Sequence, residues 1–398
     1  MPCRLLFLAH RIPYPPDKGE KIRAWHMLDH VAKRYVVDLG CLVDDPRDLA
    51  HLPRLGQICA EVQAFAVGGS VRGALRALLR ARPGVPLSQG WFHHPKLAAW
   101  VEAGLRQRRW DAALVYSSSM APYLMGDARL FRVLDMVDVD STKWAAYAAG
   151  ARGVMRRVWQ REARTLLALE RRAAATFERT LFVSEQEARH FLDLCPEAAG
   201  RVDWVENGVD LARFDPTVPQ PNPFPQGTLP IVFTGTMNYR PNVEAVVWFA
   251  EQVLPRIRAR FPAAGFWIVG ANPAPPVRAL ARLPGVSVTG SVPDVRPFLA
   301  HAAAAVAPLF IARGIQNKVL EAMAMARPVV ASPQAFEGVR AVPGRDLLVA
   351  EGVEPTLQAV CAVLEGRHPG LGERARAAVR EGHDWSATLA RLDSLLPV

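Results

Sequence analysis

The chain has 398 residues, half of them hydrophobic and 22% charged, with a formal net charge of +10. That length exceeds one ordinary core and suits two domains, and the composition excludes a disordered or low-complexity chain. Only six of the 48 basic residues are lysine, and the basic excess runs through both halves. It fits anionic small ligands or an anionic membrane surface, and no module or aromatic interleaving points to nucleic acid.

Leu5 to Ala9 reads as a first strand, too short an apolar run for a signal-peptide core. A Pro-rich loop (Pro13, Pro15, Pro16), Gly19 and a helix over about 21–34 follow. Runs at 36–42, 62–67, 112–116, 131–136, 180–183 and 202–205 predict further strands, alternating with helical patterns. Ser184-Glu-Gln-Glu187 reads as a capping box. The segment 215–230 holds six prolines and reads as a linker. Beyond it the alternation restarts, with strands at 231–233, 266–269, 286–288, 304–309 and 328–331. Helices are expected over 243–261, 295–302 and 316–325, and an amphipathic stretch from Trp385 to Leu396 closes the chain. The expected class is therefore α/β: two Rossmann-like doubly wound domains, with a cleft between them and ligands at the carboxyl ends of the strands. The expected boundaries are 1–214, 215–230, 231–384 and 385–398, the last packing back toward the first domain.

The five cysteines, at 3, 41, 59, 195 and 361, form no CxxC pair, which predicts neither a disulfide framework nor a zinc site and suits a reducing cytoplasm. No stretch of about 18 apolar residues occurs, so no spanning helix is expected.

The most informative window runs from Ala304 to Ser332. A buried strand leads into Phe310-Ile-Ala-Arg313-Gly314, where Gly314 permits close backbone approach and a helix then begins. The free amides of such a start form a ready anion site. Arg313 and Lys318 add two cations suited to a diphosphate. Glu321, three residues after Lys318, shares its face and could accept from a ribose diol, or the two could be an ordinary solvated pair.

Lys318-Val-Leu-Glu-Ala-Met-Ala-Met-Ala-Arg-Pro-Val-Val-Ala331 resembles the donor-site signature of glycosyltransferase family 4, of the GT-B architecture. Similar matches are Phe233-Thr-Gly-Thr-Met-Asn-Tyr-Arg-Pro-Asn242, Val205-Glu-Asn-Gly-Val-Asp210 with Phe214, Val183 to Ala188, Val288-Thr-Gly290 with Asp294, and Trp385. His10 to Arg23 and Asp135-Met-Val-Asp-Val-Asp-Ser141 with Lys143-Trp144 resemble a subgroup associated with PEP-CTERM and exosortase exopolysaccharide loci. The resemblance implies retaining, metal-independent transfer from a nucleoside-diphosphate sugar to a glycan or lipid-linked glycan acceptor, with no cofactor. It assigns donor contacts to Gly235, Asn238, Val292, Arg313, Gly314, Lys318 and Glu321, and an acceptor-side loop to Lys18, Gly19, Glu20 and Arg23. Asp138 and Glu321 are the expected catalytic carboxylates, although Asp138 also suits a turn cap. Family members often carry a glutamate eight positions before Glu321, where this chain has Arg313. That places sugar choice outside the common pattern.

Asp138-Val-Asp140 also spells a metal-binding Asp-x-Asp, a three-residue match that chance readily supplies. Ser117 to Ser119 reads as a polar loop. Arg72, Arg76 and Arg80 oppose Val71, Leu75, Leu78 and Leu79, so 70–82 resembles a helix able to rest on anionic lipid at the inner face of the membrane. Residues 151–172, with seven arginines, read instead as an amphipathic helix over the first sheet. Alternative readings are another GT-B enzyme, such as a nucleotide-sugar epimerase or a phosphorylase, and a non-catalytic sugar-nucleotide-binding protein.

Overall fold

The computed structural model describes residues 3–16, 19–67, 77, 79–80, 82–126, 129–312 and 314–397. The chain forms two compact units, one from residues up to Glu206 together with Leu389 onward, the other from Asn207 to Thr388.

In the first unit seven parallel strands stand in the order β3-β2-β1-β4-β5-β6-β7. They are β1 (Arg4–Ala9), β2 (Val36–Val43), β3 (Glu61–Ala66), β4 (Ala112–Tyr116), β5 (Phe131–Val137), β6 (Arg179–Phe182) and β7 (Val202–Trp204). Leu5 to Ala9 are fully buried because a parallel sheet is covered on both faces. The order reverses between β1 and β4, where Ala9 pairs with Tyr116. Helix α1 (Gly19–Val31) starts once the prolines end, with Glu20 complementing the dipole of its first turn.

Beyond β5 come α2 (Asp140–Ala149) and α3 (Gly153–Thr176), then α4 (Glu185–Leu194) after β6. The Ser184 hydroxyl accepts from the Glu187 amide at 3.1 Å, one half of the expected capping box. The Glu187 carboxylate turns away and accepts from the Val139 amide at 2.8 Å, which ties down the chain leaving β5.

The second unit has six parallel strands in the order β10-β9-β8-β11-β12-β13. These are β8 (Leu229–Thr234), β9 (Ala264–Val269), β10 (Val286–Gly290), β11 (Ala304–Ala307), β12 (Val329–Ala331) and β13 (Leu348–Val349). Its reversal lies between β8 and β11. The long helix expected over 243–261 is α5 (Arg240–Trp248), a π turn at Phe249–Val253, and α6 (Leu254–Arg260). Pro255 lacks the amide that would continue the ladder, and the wide turn absorbs the break. Helices α7 (Asn317–Ala324) and α8 (Trp385–Asp393) lie further on.

The Pro-rich segment is not a bare tether. Phe224 within it, like Phe214 just before it, is buried in the core of the second unit, its ring 4.8 Å from that of Trp267. The final residues join the first unit: the Tyr35 hydroxyl donates to the Pro397 carbonyl at 2.6 Å, and Arg34 pairs with Asp393 at 2.6 Å.

Candidate functional site

Open α/β sheets take ligands at the carboxyl ends of their strands where the order reverses. In the second unit that point is flanked by the loop after β8 and the loop from β11 to α7. Gly235 follows β8 with φ +154°, and Gly270 follows β9 with φ +153°. A Cβ on Gly270 would lie 1.7 Å from the Gly235 carbonyl oxygen, so the two loops meet backbone to backbone and only glycine fits.

Into this floor α5 sends the buried Asn242. Its Nδ2 donates to the Thr236 carbonyl and its Oδ1 accepts from Lys318 Nζ, both at 2.9 Å. The Lys318 ammonium also sits 5.1 Å from the centre of the Phe233 ring. Among the described residues Lys318 forms no ion pair. Burial lowers its pKa to about 8, against the opposing pull of Glu321. The same burial raises Glu321 to about 7, with Arg213 and Lys318 pulling it down. A cation and an acid held this way, half-desolvated and close to each other without pairing, are poised for a ligand that neutralises them.

Gly314 has φ +62°, a left-handed conformation suited to glycine, and its carbonyl accepts from the Gln316 side chain at 3.2 Å. Gln316 precedes α7 without capping it, so the first amides of that helix have no side-chain acceptor. Asn317 Oδ1 is buried with no partner. Gly235 and Gly314 thus stand on the two loops that flank the reversal, and Lys318 and Glu321 on the first turns of α7. Asn238 is exposed in the turn after β8, and the Val292 side chain packs against the core from the loop after β10. Arg313 lies outside the described residues. Asn242 and Arg213 sit in or beside the sequence motifs, yet no local pattern marks them as neighbours of Lys318 and Glu321. Nothing in the sequence said which asparagine of that loop faces Lys318.

In the first unit, Gly19, Glu20 and Arg23 stand on α1 rather than on a loop; Lys18 lies outside the described residues, as does most of 70–82. Arg23 is a correction in kind. It is 1% exposed, with Nε 2.7 Å from Asp135 Oδ2, and its Nη1 donates to the Val205 carbonyl at 2.7 Å. One turn into α1 its side chain faces the sheet, so it braces β5. Asp138 is half-buried just after β5, with Oδ1 lacking any partner. Burial raises its pKa to about 7, helped by Asp140 and Glu187. Asp140 opens α2, its carboxylate 4.0 Å from Lys143. Among the described residues no group of three His, Cys, Asp or Glu side chains is placed to hold a metal ion, and no helix is long and apolar enough to cross a membrane.

Residues 229–366, most of the second unit, match the family model described as glycosyl transferases group 1. No curated protein matches the chain in sequence. Among solved structures the chain is similar to sucrose-phosphate synthase from Thermosynechococcus elongatus, at 16% identity and TM-score 0.71, over 99% of this chain and 98% of that one. It is similar to WaaG, a glycosyltransferase of lipopolysaccharide biosynthesis, at 16% identity and TM-score 0.68, over 99% and 100% of the two chains. Anabaena HepE, solved with UDP and glucose, is similar at 13% identity and TM-score 0.65, over 99% of each. The fold is GT-B. The second unit matches a group 1 glycosyltransferase domain, which supports a transferase.

Proposed function

We propose that the second unit binds a nucleoside-diphosphate sugar and that the protein transfers its sugar, with retention and without a metal, to a glycan acceptor held by the first unit. The observation that carries this reading is the Lys318 ammonium, desolvated and bonded to Asn242 at 2.9 Å but, among the described residues, without an ion pair. Beside it lie an uncapped helix start and a glycine-only loop. A diphosphate supplies the missing charge and is narrow enough for the loop. Glu321 takes the ribose hydroxyls, Gly235 and Asn238 the diphosphate from the β8 side, and the backbone at Val292 the base. Arg313 adds a second phosphate cation. The HepE structures with UDP, UDP-glucose and glucose support the ligand class.

In the transfer, a hydroxyl oxygen of the acceptor bonds to the anomeric carbon as that carbon's bond to the β-phosphate oxygen breaks. The hydroxyl proton passes to the leaving diphosphate, whose charge Lys318 and the start of α7 stabilise. Asp138 contacts the reacting sugar or the acceptor hydroxyl. The finer setting is exopolysaccharide synthesis on a lipid-linked acceptor at the cytoplasmic membrane face, with 70–82 against the lipid.

The test is a thermal-shift and calorimetric series with UDP, GDP and their sugars, followed by hydrolysis and transfer assays. Stabilisation by one nucleotide sugar, lost in Lys318→Ala and Glu321→Ala, is the expected result. No shift with any of them removes the proposal, and binding without turnover on a broad acceptor panel leaves a sugar-nucleotide-binding protein.

A further inference from the structure

A helix start is most simply capped by a neighbour in the chain: a serine, threonine, asparagine or aspartate at its entrance accepts from the first amides. Helix α2 is capped differently. Val139, at its entrance, has no polar side chain, and the acceptors come from two other helices. Glu187 of α4 accepts from the Val139 amide at 2.8 Å. Glu170 of α3 accepts from the Ser141 amide at 3.1 Å and from the Ser141 hydroxyl at 2.6 Å. Both glutamates are buried, Glu170 completely. Burying two acids is unfavourable in itself, so a pair of distant caps must secure something that a local one would not.

What it leaves free is Asp138. This residue stands one position before Val139, where an aspartate readily commits its carboxylate to the helix start. Its Oδ1 is instead buried without a hydrogen-bond partner among the described residues. The backbone around it is held from several sides. The Val137 amide donates to Asp135 Oδ1 at 3.1 Å, and the Asp138 amide donates back to the Met136 carbonyl at 2.9 Å. The Val137 carbonyl accepts from the Val183 amide at 2.7 Å, and Thr142 Oγ1 meets His190 Nε2 of α4 at 2.9 Å. Val137 itself has φ +68°. That conformation is unfavourable for a β-branched residue, and it persists only where the surroundings fix it.

We propose that Glu170 and Glu187 are positioning residues of the transfer: by capping α2 from α3 and α4 they fix Asp138 and keep its carboxylate free for the reacting sugar or the acceptor hydroxyl. The inference rests on the role proposed for Asp138, whereas the hold of the two glutamates on Asp138 is measurable without it. Glu187 also acts through its charge. Burial raises Asp138 to about 7, with Asp140 and Glu187 adding to the rise and Lys143 and Arg23 opposing it. The groups around the start of α2 are Asp140 and Lys143 of α2 itself, Glu170 of α3, Glu187 and His190 of α4, and Arg23 of α1, which Asp135 already holds. Acids outnumber cations there, which favours a retained proton. Glu170 is pushed up to about 8 by burial, against its bonds to Ser141. As a neutral acid it still accepts from the Ser141 amide and can donate to the Ser141 hydroxyl, so its cap survives protonation.

The experiment uses the full chain. Glu187→Gln and Glu170→Gln keep an oxygen acceptor for the amide and remove the charge, whereas Glu187→Leu and Glu170→Leu remove the acceptor as well. Carbon-13 NMR of labelled aspartate follows the Asp138 carboxyl, assigned with Asp138→Asn, and transfer kinetics give kcat and the donor KM. Glu187→Gln should unfold with the wild type and move the Asp138 titration to lower pH, because a neighbouring negative charge is gone. The limb of the kcat profile that Asp138 governs should move the same way. Each leucine variant should lower kcat per folded molecule at least about tenfold, with the donor KM changed less than about twofold. The proposal is refuted if Asp138 titrates alike in the wild type and both Glu187 variants, or if the leucine variants lose activity only in proportion to the fraction unfolded. Should the leucine variants not fold, the glutamine titration decides alone. If the wild type transfers no sugar while Glu187→Gln still displaces the Asp138 titration, the hold on Asp138 stands and the transfer reading fails.

Discussion

Replacing Lys318 with methionine should make the empty protein no less stable and deprive it of its donor. Burial lowers the ammonium from 10.5 to about 8, which corresponds to about 3 kcal/mol of unfavourable charge burial at ~1.4 kcal/mol per unit. Methionine removes that cost and keeps the packing over Phe233. It also leaves Asn242 Oδ1 buried without a donor, a loss of about 1–3 kcal/mol. The net expectation at pH 7 is a variant between equal and about 2 kcal/mol more stable than the wild type. The sign follows from linkage. With the folded pKa below the unfolded one, the wild-type penalty is complete below about pH 8 and fades as pH rises toward 10.5. The variant's advantage should therefore shrink by about 2 kcal/mol between pH 7 and pH 10. A nucleotide sugar at a hundred times its Kd should add about 2.7 kcal/mol to the wild type and less than about 0.5 kcal/mol to the variant. Urea unfolding of the second unit, with and without ligand at both pH values, measures all of this. A variant that binds as tightly as the wild type, or that is several kcal/mol less stable equally at both pH values, refutes the reasoning.

Donor affinity should fall on both flanks of a narrow optimum, below about pH 7 as Glu321 takes up its proton and above about pH 8 as Lys318 loses its own. Calorimetry from pH 5.5 to 9.5 checks this, and Glu321→Gln should flatten the acid limb alone. Gly270→Ala places a methyl 1.7 Å from the Gly235 carbonyl, so it should cost at least about 1–3 kcal/mol and abolish nucleotide binding, read by thermal unfolding and calorimetry. Arg23→Met strands Asp135 without its partner and should destabilise the first unit by about 3–5 kcal/mol, with Arg23→Met/Asp135→Leu recovering most of it in the same unfolding assay.

The strands were legible because buried parallel strands are continuous apolar runs, as in Leu5 to Ala9 and Ala304 to Ala307. The start of α7 was legible because Gly314 followed by a helical pattern has a local cause. Contacts between distant residues were not. Arg23 reads as a surface cation on a helix, and only the packing of α1 on the sheet turns it onto Asp135, 112 residues away. Asn242 reads as one more polar residue in a first turn until the fold sets Lys318 opposite it. Phe224 stands among so many prolines that its segment looks like a tether, though its ring finds a core.

The two reversal points carry opposite chemistry, and that contrast supports a division of labour. In the second unit the point is lined, among the described residues, by main chain, a desolvated cation and a desolvated acid: Gly235 against Gly270, the first amides of α7, Lys318 and Glu321. Helix-start amides and an ammonium suit a phosphate, and the Glu321 carboxylate beside them suits hydroxyls. In the first unit the same topological position is lined by side chains: His10, Tyr116 and Asp138. They include acceptors as well as donors. The first of these arrangements suits a diphosphate and the second suits hydroxyls. A chain that merely sensed sugar nucleotides would need only the first of these. Val137, strained at φ +68°, and the buried Tyr116 hydroxyl, without a partner among the described residues, have no role in sensing a sugar nucleotide.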